Sequence, residues 1–284
     1  MATMLAPALA VLAFGLLFLQ AMVSAWRWMV LSRRVGANIS AATAFKFFML
    51  SQFYNQALPS FVPGDACRVW GAARSGGLQQ ATVGVLLDRL VTLGALASLA
   101  ALSLGVLGLR GRGEAMALPF LALAGMVVGF AVITAAIMAR ERLSALLPAK
   151  AGRLLVRGGQ AIQDVFRSGQ FPLLFAISLF IHGLSIATFY VLAEGLHLAM
   201  TPWEAVVAVP VVMLAAQIPV TVNGWGVREG MMILVLAGFG IGRTEAATLS
   251  VIFGLFQLGM GLVGGLFALF PDRAADAKAA REIT

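Results

Sequence analysis

Residues 55–65 read Asn-Gln-Ala-Leu-Pro-Ser-Phe-Val-Pro-Gly-Asp, and they interrupt an otherwise apolar part of the chain. Two prolines and a glycine end a helix here, because proline lacks the amide donor and clashes with the preceding helical turn. A second interruption, at residues 219–229, reads Pro-Val-Thr-Val-Asn-Gly-Trp-Gly-Val-Arg-Glu. Both stretches lie where the surrounding sequence would otherwise continue as apolar helix. The fold must therefore accommodate two breaks within apolar segments.

The composition places the chain in a membrane. Of its 284 residues, 61% are hydrophobic and only 11% are charged, which is far from the balance of a soluble domain. A transmembrane helix needs about 20 apolar residues to cross about 30 Å of hydrocarbon. Eight apolar segments are present: Leu5–Ala25, Ile39–Leu58, Ala81–Leu109, Ala115–Ala139, Phe171–Ala193, Ala205–Val222, Val227–Ile241 and Ala246–Phe270. We expect a polytopic, all-α membrane protein.

Basic residues are concentrated between the apolar segments. The net charge of the chain is +8, and many of its basic residues lie in the longest loop, residues 140–170. Its charged residues are Arg140, Arg142, Lys150, Arg153, Arg157 and Arg167, against Glu141 and Asp164. Such loops face the cytoplasm and anionic lipid, so we expect a lipid surface as the partner and no nucleic acid. Within the loop, Ala151–Phe166 has the pattern of an amphipathic helix on the membrane, or of a solvated linker helix.

Loop charge also constrains the path of the chain. Trp26, Arg27 and Trp28 follow the first segment and are typical of interfacial anchors, and Arg33 and Arg34 should also be cytoplasmic. Single crossings by every segment would place these arginines and the 140–170 loop on opposite sides. A second segment that enters the membrane and returns removes the conflict. The sequence therefore predicts a re-entrant hairpin that turns at residues 55–65.

The two breaks share a spacing that indicates a repeat. Proline, valine, glycine and arginine recur with the same separations at Pro59, Val62, Gly64 and Arg68 and at Pro219, Val222, Gly224 and Arg228. We predict an inverted-topology repeat with two re-entrant helical hairpins, whose breaks are marked by Pro59, Gly64, Pro219, Gly224 and Gly226. One transmembrane domain, 1–284, would comprise a first repeat (about 5–109), a linking helix and basic loop (110–170), a second repeat (about 171–270) and a charged tail (271–284).

Charged and amide side chains gather near the breaks. A charge at a helix centre in the membrane costs at least about 2.5 kcal/mol, so it is normally paired or lines a pathway. We predict a polar cavity in which Arg68, Arg228, Arg89, Asn55 and Asn223 bind substrate. Ion-pairing or proton-coupling roles are assigned to Asp65, Asp88 and Glu229. The alternative is that these charges form structural ion pairs that touch no substrate. We interpret His182 as a core residue and the glycines of the last segment as helix-packing positions.

These residues also carry a family resemblance. Asn55, Leu58-Pro59, Gly64-Asp65 and Arg68, then Asp88-Arg89, then the run 223–229, resemble the flippase-like transmembrane family related to the membrane (flippase) domain of bacterial lysylphosphatidylglycerol synthases. Relatives usually have a further N-terminal helix and commonly a glutamate where Asp88 stands. The resemblance implies movement of a lipid between leaflets of the bacterial cytoplasmic (inner) membrane. Because only the charged tail follows Phe270, we expect transport without lipid synthesis.

The expected function is transport of an anionic or phosphate-bearing lipid, either a phospholipid or a polyprenyl-linked lipid. We expect no enzyme activity and no cofactor: the sequence has no HExxH, no Gly-x-Ser-x-Gly and no phosphate-binding loop. Cys67 is the only cysteine, which excludes an internal disulfide and a thiolate metal cage. Two alternatives stay open: a non-transporting partner or regulator of a lipid- or glycan-modifying enzyme, and, less favoured, an intramembrane lipid enzyme. The protein could form a homo-oligomer or a complex with a lipid enzyme under any of these functions.

Overall fold

A computed structural model describes residues 6–57, 62–109, 139–217 and 221–269, with isolated positions at 124, 125, 129 and 135. Every regular element within these residues is a helix. The helices are α1 (Pro7–Arg34), α2 (Ala41–Ala57), α3 (Val62–Gly76), α4 (Leu78–Leu109), α5 (Arg140–Ala145), α6 (Ala149–Arg167), α7 (Phe171–Gly195), α8 (Pro202–Ala215), α9 (Val227–Ala237) and α10 (Arg243–Leu266). Short 3-10 turns lie at Val222–Gly224 and Phe267–Leu269. Pro59, Pro219, most of the predicted Ala115–Ala139 segment and the 271–284 tail lie outside the described residues.

Among the described residues, four helices are long and apolar enough to cross a membrane. They span Pro7–Arg34, Leu78–Val106, Phe171–Gly195 and Arg243–Leu269. At 1.5 Å per residue each exceeds the roughly 30 Å of bilayer hydrocarbon. Large apolar side chains such as Val11, Leu102 and Leu262 are more than half exposed, as lipid-facing positions are. The prediction of an all-helical, multi-pass integral membrane protein is confirmed.

The structure of the first helix differs from the prediction that Trp26, Arg27 and Trp28 are interfacial anchors. The anchors Trp26–Trp28 were expected where the chain leaves the bilayer after Ala25, but α1 continues to Arg34. Trp26 is 45% exposed, whereas Arg27 is 2% exposed and Trp28 is fully buried. The anchor interpretation of Arg27 and Trp28 was wrong, because both face the protein interior, where Arg27 has an acidic partner.

In the first half of the chain, the two long helices α1 and α4 pack on each other and on a pair of shorter helices. Ser32 faces Gly84 and Arg27 contacts Asp88, so α1 and α4 run antiparallel. The shorter helices α2 and α3 pack against each other, also antiparallel. Phe47 lies against Gly71 and Asn55 against Gly64. Ala37 touches Gly76, so this pair of helices begins and ends at the same place, where α1 ends and α4 begins.

The two halves meet through three main helix pairs. α1 packs on α7, α2 on α10, and α4 on α8. The first pair is antiparallel, since Arg27 bonds to Ser178 and Gln20 to Ser185. The second pair packs closely through glycines of α10, as the sequence predicted for this segment. Gly261 faces Gln56, Gly264 faces the backbone of Met49, and Gly265 faces Phe53.

The predicted amphipathic helix of the basic loop is present as α6. Its apolar residues Ile162 and Val165 are buried in a cluster with Leu31, Leu87 and Leu174. Phe166, on another side, is 42% exposed. The apolar face of α6 therefore packs on α1, α4 and α7, and the helix belongs to the protein body.

Candidate functional site

A cavity of about 210 Å³ lies where the two halves meet. Its charged and polar lining consists of Gln20, Ser24, Arg27, Ser51, Gln52, Asn55, Gln56, Arg68, Asp88, Arg89, Thr92, His182, Ser185, Gln217, Asn223 and Gln257. These residues come from both halves of the chain, including positions beside both breaks. A cavity with so many polar groups is unusual within apolar helices and points to a hydrated or polar occupant.

Asp88 is the central carboxylate of the site. Arg27 donates from Nε to its Oδ1 at 2.9 Å, and Arg68 donates from an η-nitrogen to Oδ2 at 2.6 Å. All three residues are buried. Buried ions are tolerated when they are paired and hydrogen-bonded, and here one carboxylate serves two guanidinium groups. The cluster therefore carries a positive charge that Asp88 alone does not balance.

A second pair stands at the edge of the cluster. Arg89 donates two hydrogen bonds to Asp65, at 2.7 and 3.0 Å, and both side chains are about one-quarter exposed. Arg68 is 3.5 Å from Asp65 and so connects the two pairs. Asp88 pairs with distant arginines and not with adjacent Arg89, because successive residues of a helix point in different directions.

Further contacts fix the orientation of the two buried arginines. Arg27 donates to the hydroxyls of Ser178 at 2.7 Å and Thr92 at 2.5 Å. The Arg68 guanidinium lies 4.7 Å from the ring centre of Trp28 and 5.5 Å from that of Phe48, distances suited to cation–π attraction. Buried Nε of Arg68 has no hydrogen-bond acceptor among the described residues. One donor of this arginine is thus unused among the described residues.

The second break is built from left-handed backbone. Asn223, Gly224 and Gly226 have φ values of 46°, 76° and 85°. Asparagine and glycine adopt this region at the least steric cost, which explains their presence here. Glu229 then accepts from the Gly226 amide at the start of α9, and the same carboxylate pairs with Arg228 at 3.0 Å.

Arg228 is buried behind the cavity wall and does not line it. It is 1% exposed, and it donates to Ser250 at 3.1 Å and to Oε1 of Gln257 at 3.0 Å. Gln257 does line the cavity, and Asn223 donates to the same oxygen at 3.4 Å. The two arginines at matching positions of the breaks therefore differ: Arg68 is at the wall, whereas Arg228 supports a wall residue.

The first break places two amides at the cavity. Asn55 packs against Gly64, where a larger side chain would collide with the amide. Oδ1 of Asn55 and Oε1 of Gln56 are buried and have no hydrogen-bond donor among the described residues. A buried oxygen without a partner costs about 1–3 kcal/mol, so a native structure normally supplies one. Both oxygens are candidates for contact with a bound molecule.

Comparison with known proteins identifies the family. The family model described as "Lysylphosphatidylglycerol synthase TM region" matches residues 2–265. The chain belongs to this family. No curated protein and no solved structure gives a significant match. The family resemblance inferred from the sequence is confirmed, and it covers both breaks and the whole cavity lining.

The sequence analysis did not predict several of the residues that line the cavity of this family member. The most important is Arg27. The other polar ones are Gln20, Ser24, Ser51, Thr92, Ser185, Gln217 and Gln257. Arg27 carried a signal, since it is a charge within a run that is apolar on both sides. His182, interpreted as a core residue, lines the cavity with Nε2 3.1 Å from the Thr92 carbonyl. Among the described residues no group of three or more His, Cys, Asp or Glu could hold a metal ion.

Proposed function

We propose that this protein moves an anionic or phosphate-bearing lipid between membrane leaflets. The observation that carries the proposal is a polar cavity, walled by Arg27, Arg68 and Arg89, inside a protein whose described residues include four apolar helices long enough to span a membrane. Arg27 and Arg68 share the single carboxylate of Asp88, so this buried group holds one positive charge more than Asp88 balances. Guanidinium groups match phosphate geometry and bind it through paired hydrogen bonds. An anionic head group would balance the excess charge.

The exposed pair of the cluster is the part suited to exchange. Asp65 and Arg89 are partly exposed, so an entering phosphate can replace the carboxylate with little desolvation cost. Asp88 is buried between two arginines and would stay in place as the fixed counter-ion. The Nε of Arg68, which has no acceptor among the described residues, would supply an additional donor to the phosphate. In this mechanism the acyl chains remain in the bilayer while the head group crosses through the cavity, and no covalent bond changes.

We also propose that α2–α3 and α8–α9 are re-entrant hairpins of an inverted repeat, with repeats at about 5–109 and 171–270. Each packing pair supports this. In the proposed repeat, α1 corresponds to α7, α2 to α8, α3 to α9 and α4 to α10. Under this correspondence the contact of α2 with α10 is equivalent to the contact of α8 with α4, and both contacts are present. The matched helices α1 and α7 pack on each other and run antiparallel. A two-fold axis in the membrane plane produces this arrangement, which transporters use for alternating access.

The proposed orientation follows from the same geometry. The ends of the α2–α3 pair, at Ala37 and Gly76, lie beside the end of α1. Because α7 is antiparallel to α1, basic helices α5 and α6 precede it on that same side. Arg33, Arg34 and the 140–170 loop then share one face, which we assign to the cytoplasm of a bacterial inner membrane. Anionic lipid would contact the basic loop there.

Leaflet exchange in proteoliposomes tests the proposed function. Labelled phosphatidylglycerol and a labelled polyprenyl phosphate would be followed with and without a proton gradient. We expect Arg68→Gln to slow exchange of the transported lipid at least about tenfold, since a charged hydrogen bond contributes about 1.5–3 kcal/mol. Arg228→Gln should also slow exchange, through the loss of support for Gln257. Arg243→Gln, at an exposed arginine of α10, is the matched control and should retain exchange.

Outcomes of the same assay separate the alternatives. Failure of the wild-type protein to move either lipid under any condition would contradict transport and favour a partner of a lipid-modifying enzyme. Mass spectrometry of the recovered lipid checks for chemistry. A change in lipid mass that requires the protein would instead reveal an enzyme.

A further inference from the structure

The cavity has two chemically different walls. One wall, from α1, α3 and α4, holds Arg27, Arg68 and Arg89 around Asp88. The other wall, from α2, the end of α8, the second break and α10, is made of side-chain amides. These are Gln52, Asn55, Gln56, Gln217, Asn223 and Gln257. We call this second surface the carboxamide wall. A site for phosphate alone would need only the arginines, so the amides require a separate explanation.

The carboxamide wall offers hydrogen-bond acceptors. Oδ1 of Asn55 and Oε1 of Gln56 are buried and lack a donor among the described residues. They lie on successive residues of the last turn of α2, beside the first break. A ligand that satisfies them must carry hydroxyl or N–H donors, which a phosphate dianion does not.

The same wall also offers donors, because Arg228 fixes the orientation of Gln257. Arg228 and Asn223 both donate to Oε1 of Gln257. Since a guanidinium has no acceptor, the amide cannot turn around without losing this bond. The Nε2 hydrogens of Gln257 are therefore directed away from Arg228, and they bond to no acceptor in the part of the chain that the structure describes, at a residue that lines the cavity. Arg228, held by Glu229 and Ser250, acts as a positioning residue for Gln257.

Acceptors beside donors match one chemical group best. A hydroxyl both donates and accepts, whereas a quaternary ammonium does neither. A primary ammonium could donate to the Asn55 and Gln56 oxygens, but the two guanidinium groups that share the single carboxylate of Asp88 oppose a cation in the same cavity. We propose that the substrate is a lipid whose phosphate bears an uncharged, hydroxyl-rich substituent, a glycerol or a sugar, which the carboxamide wall recognises. This inference rests on the proposed transport function and names its substrate class.

Matched lipid pairs test the inference in proteoliposomes. The first pair is phosphatidylglycerol and phosphatidic acid, and the second is a polyprenyl phosphate with and without a sugar on the phosphate. Phosphatidylcholine and lysylphosphatidylglycerol complete the set, all labelled on the lipid tail so that the head groups stay native. Exchange is measured by access of the label to a membrane-impermeant quencher. We expect the hydroxylated member of a transported pair to move at least about fivefold faster than its partner, and faster than the cationic and choline lipids.

Variants connect that preference to the wall. Gln56→Met and Asn55→Leu replace the two acceptors with apolar side chains of similar size. We compare the exchange rate of the hydroxylated lipid with that of its partner without the hydroxylated group. Loss of one hydrogen bond should lower the ratio of these two rates by about two- to tenfold. Gln160→Met, at an exposed glutamine of α6, is the matched control and should keep the wild-type ratio. Gel filtration of each variant verifies folding, and if one fails the other still tests the wall.

The outcomes of these experiments test the head-group assignment separately from the proposed lipid transport. Equal exchange of both members of a transported pair would overturn the head-group assignment and leave transport standing. Preference for lysylphosphatidylglycerol or phosphatidylcholine would overturn it as well. An unchanged ratio in the folded wall variants would remove the carboxamide wall from recognition. Absence of exchange for every lipid would contradict transport itself, and the assignment with it.

Discussion

Nε of Arg27 lies 2.9 Å from Oδ1 of Asp88, although the two residues are 61 positions apart and each side chain is only 3% exposed. The other oxygen of Asp88 accepts from Arg68 at 2.6 Å. One carboxylate thus joins α1, α3 and α4 at the cavity. These three helices of the first half are connected through this one side chain.

The first prediction is that Asp88 contributes more to stability than Arg27, one of its two arginine partners. Asp88→Asn leaves two buried arginines without their shared carboxylate, whereas Arg27→Met leaves Asp88 still paired with Arg68. Uncompensated buried charge costs about 3–5 kcal/mol. Asp88→Asn should therefore lower the apparent Tm in detergent more than Arg27→Met, as measured by tryptophan fluorescence on heating. Arg243→Met, at an exposed site, controls for loss of an arginine. An equal or larger loss in Arg27→Met would contradict the central role of Asp88.

The second prediction concerns the contact of α2 with α10. A methyl group at Gly264 would collide with the Met49 backbone, which cannot move aside as a side chain could. Overpacking of this kind costs about 1–3 kcal/mol, so Gly264→Ala should lower the free energy of unfolding in denaturant titrations. Gly183, in α7, has no atom within 4 Å of the corresponding position. Gly183→Ala should show no such loss, and similar losses in both variants would argue against close packing at Gly264.

A third prediction tests the antiparallel contact of α1 with α4. Cβ of Ser32 lies 3.4 Å from the position that a Cβ at residue 84 would take. Disulfides need Cβ atoms about 3.5–4.5 Å apart. In a Cys67→Ala background, Ser32→Cys with Gly84→Cys should cross-link under a lipid-soluble oxidant, detected by mass spectrometry. Ser32→Cys with Gly105→Cys is the control, since residue 105 is about 32 Å along the helix. Cross-linking of the control alone would reverse the direction of α4.

A fourth prediction addresses the proposed hairpin. Asn38 and Ser75 are exposed residues at the two ends of the α2–α3 pair, and Ala199 is exposed in the turn after α7. Single cysteines at 38 and 75, in the Cys67→Ala background, should react with an impermeant maleimide from the same side of the membrane. A cysteine at 199 should react from the other side. Labelling of 38 and 75 from opposite sides would contradict a hairpin that returns to its own face.

The sequence predicted the helical membrane class and the cavity better than it predicted the partners within it. Proline and glycine in apolar surroundings are local signals, so both breaks were visible without a structure. Arg89, Asn55 and Asn223 line the cavity as anticipated for side chains beside the breaks and in the third segment. The pairing of Asp88 with Arg27 depends instead on how α1 lies against α4, which no local pattern encodes.

Arg228 illustrates the same limit. Its spacing from Pro219 matches that of Arg68 from Pro59, and equal spacing suggested equal exposure to the cavity. The difference arises from packing: Gly254 admits the Arg228 guanidinium against α10, with Ser250 and Gln257 as acceptors. Helix-to-helix contacts of this kind are tertiary, and a repeat in sequence does not require them to be equal in both halves.

The position of Arg27 also bears on how the chain is made. The ribosome adds about 5–20 residues per second, so Asp88 is synthesised roughly 3–12 s after Arg27. For that interval α1 carries a guanidinium whose carboxylate does not yet exist. The buried Arg27–Asp88 pair can form only after α4 has been synthesised, so the packing of α1 in the first half is completed by a helix made later.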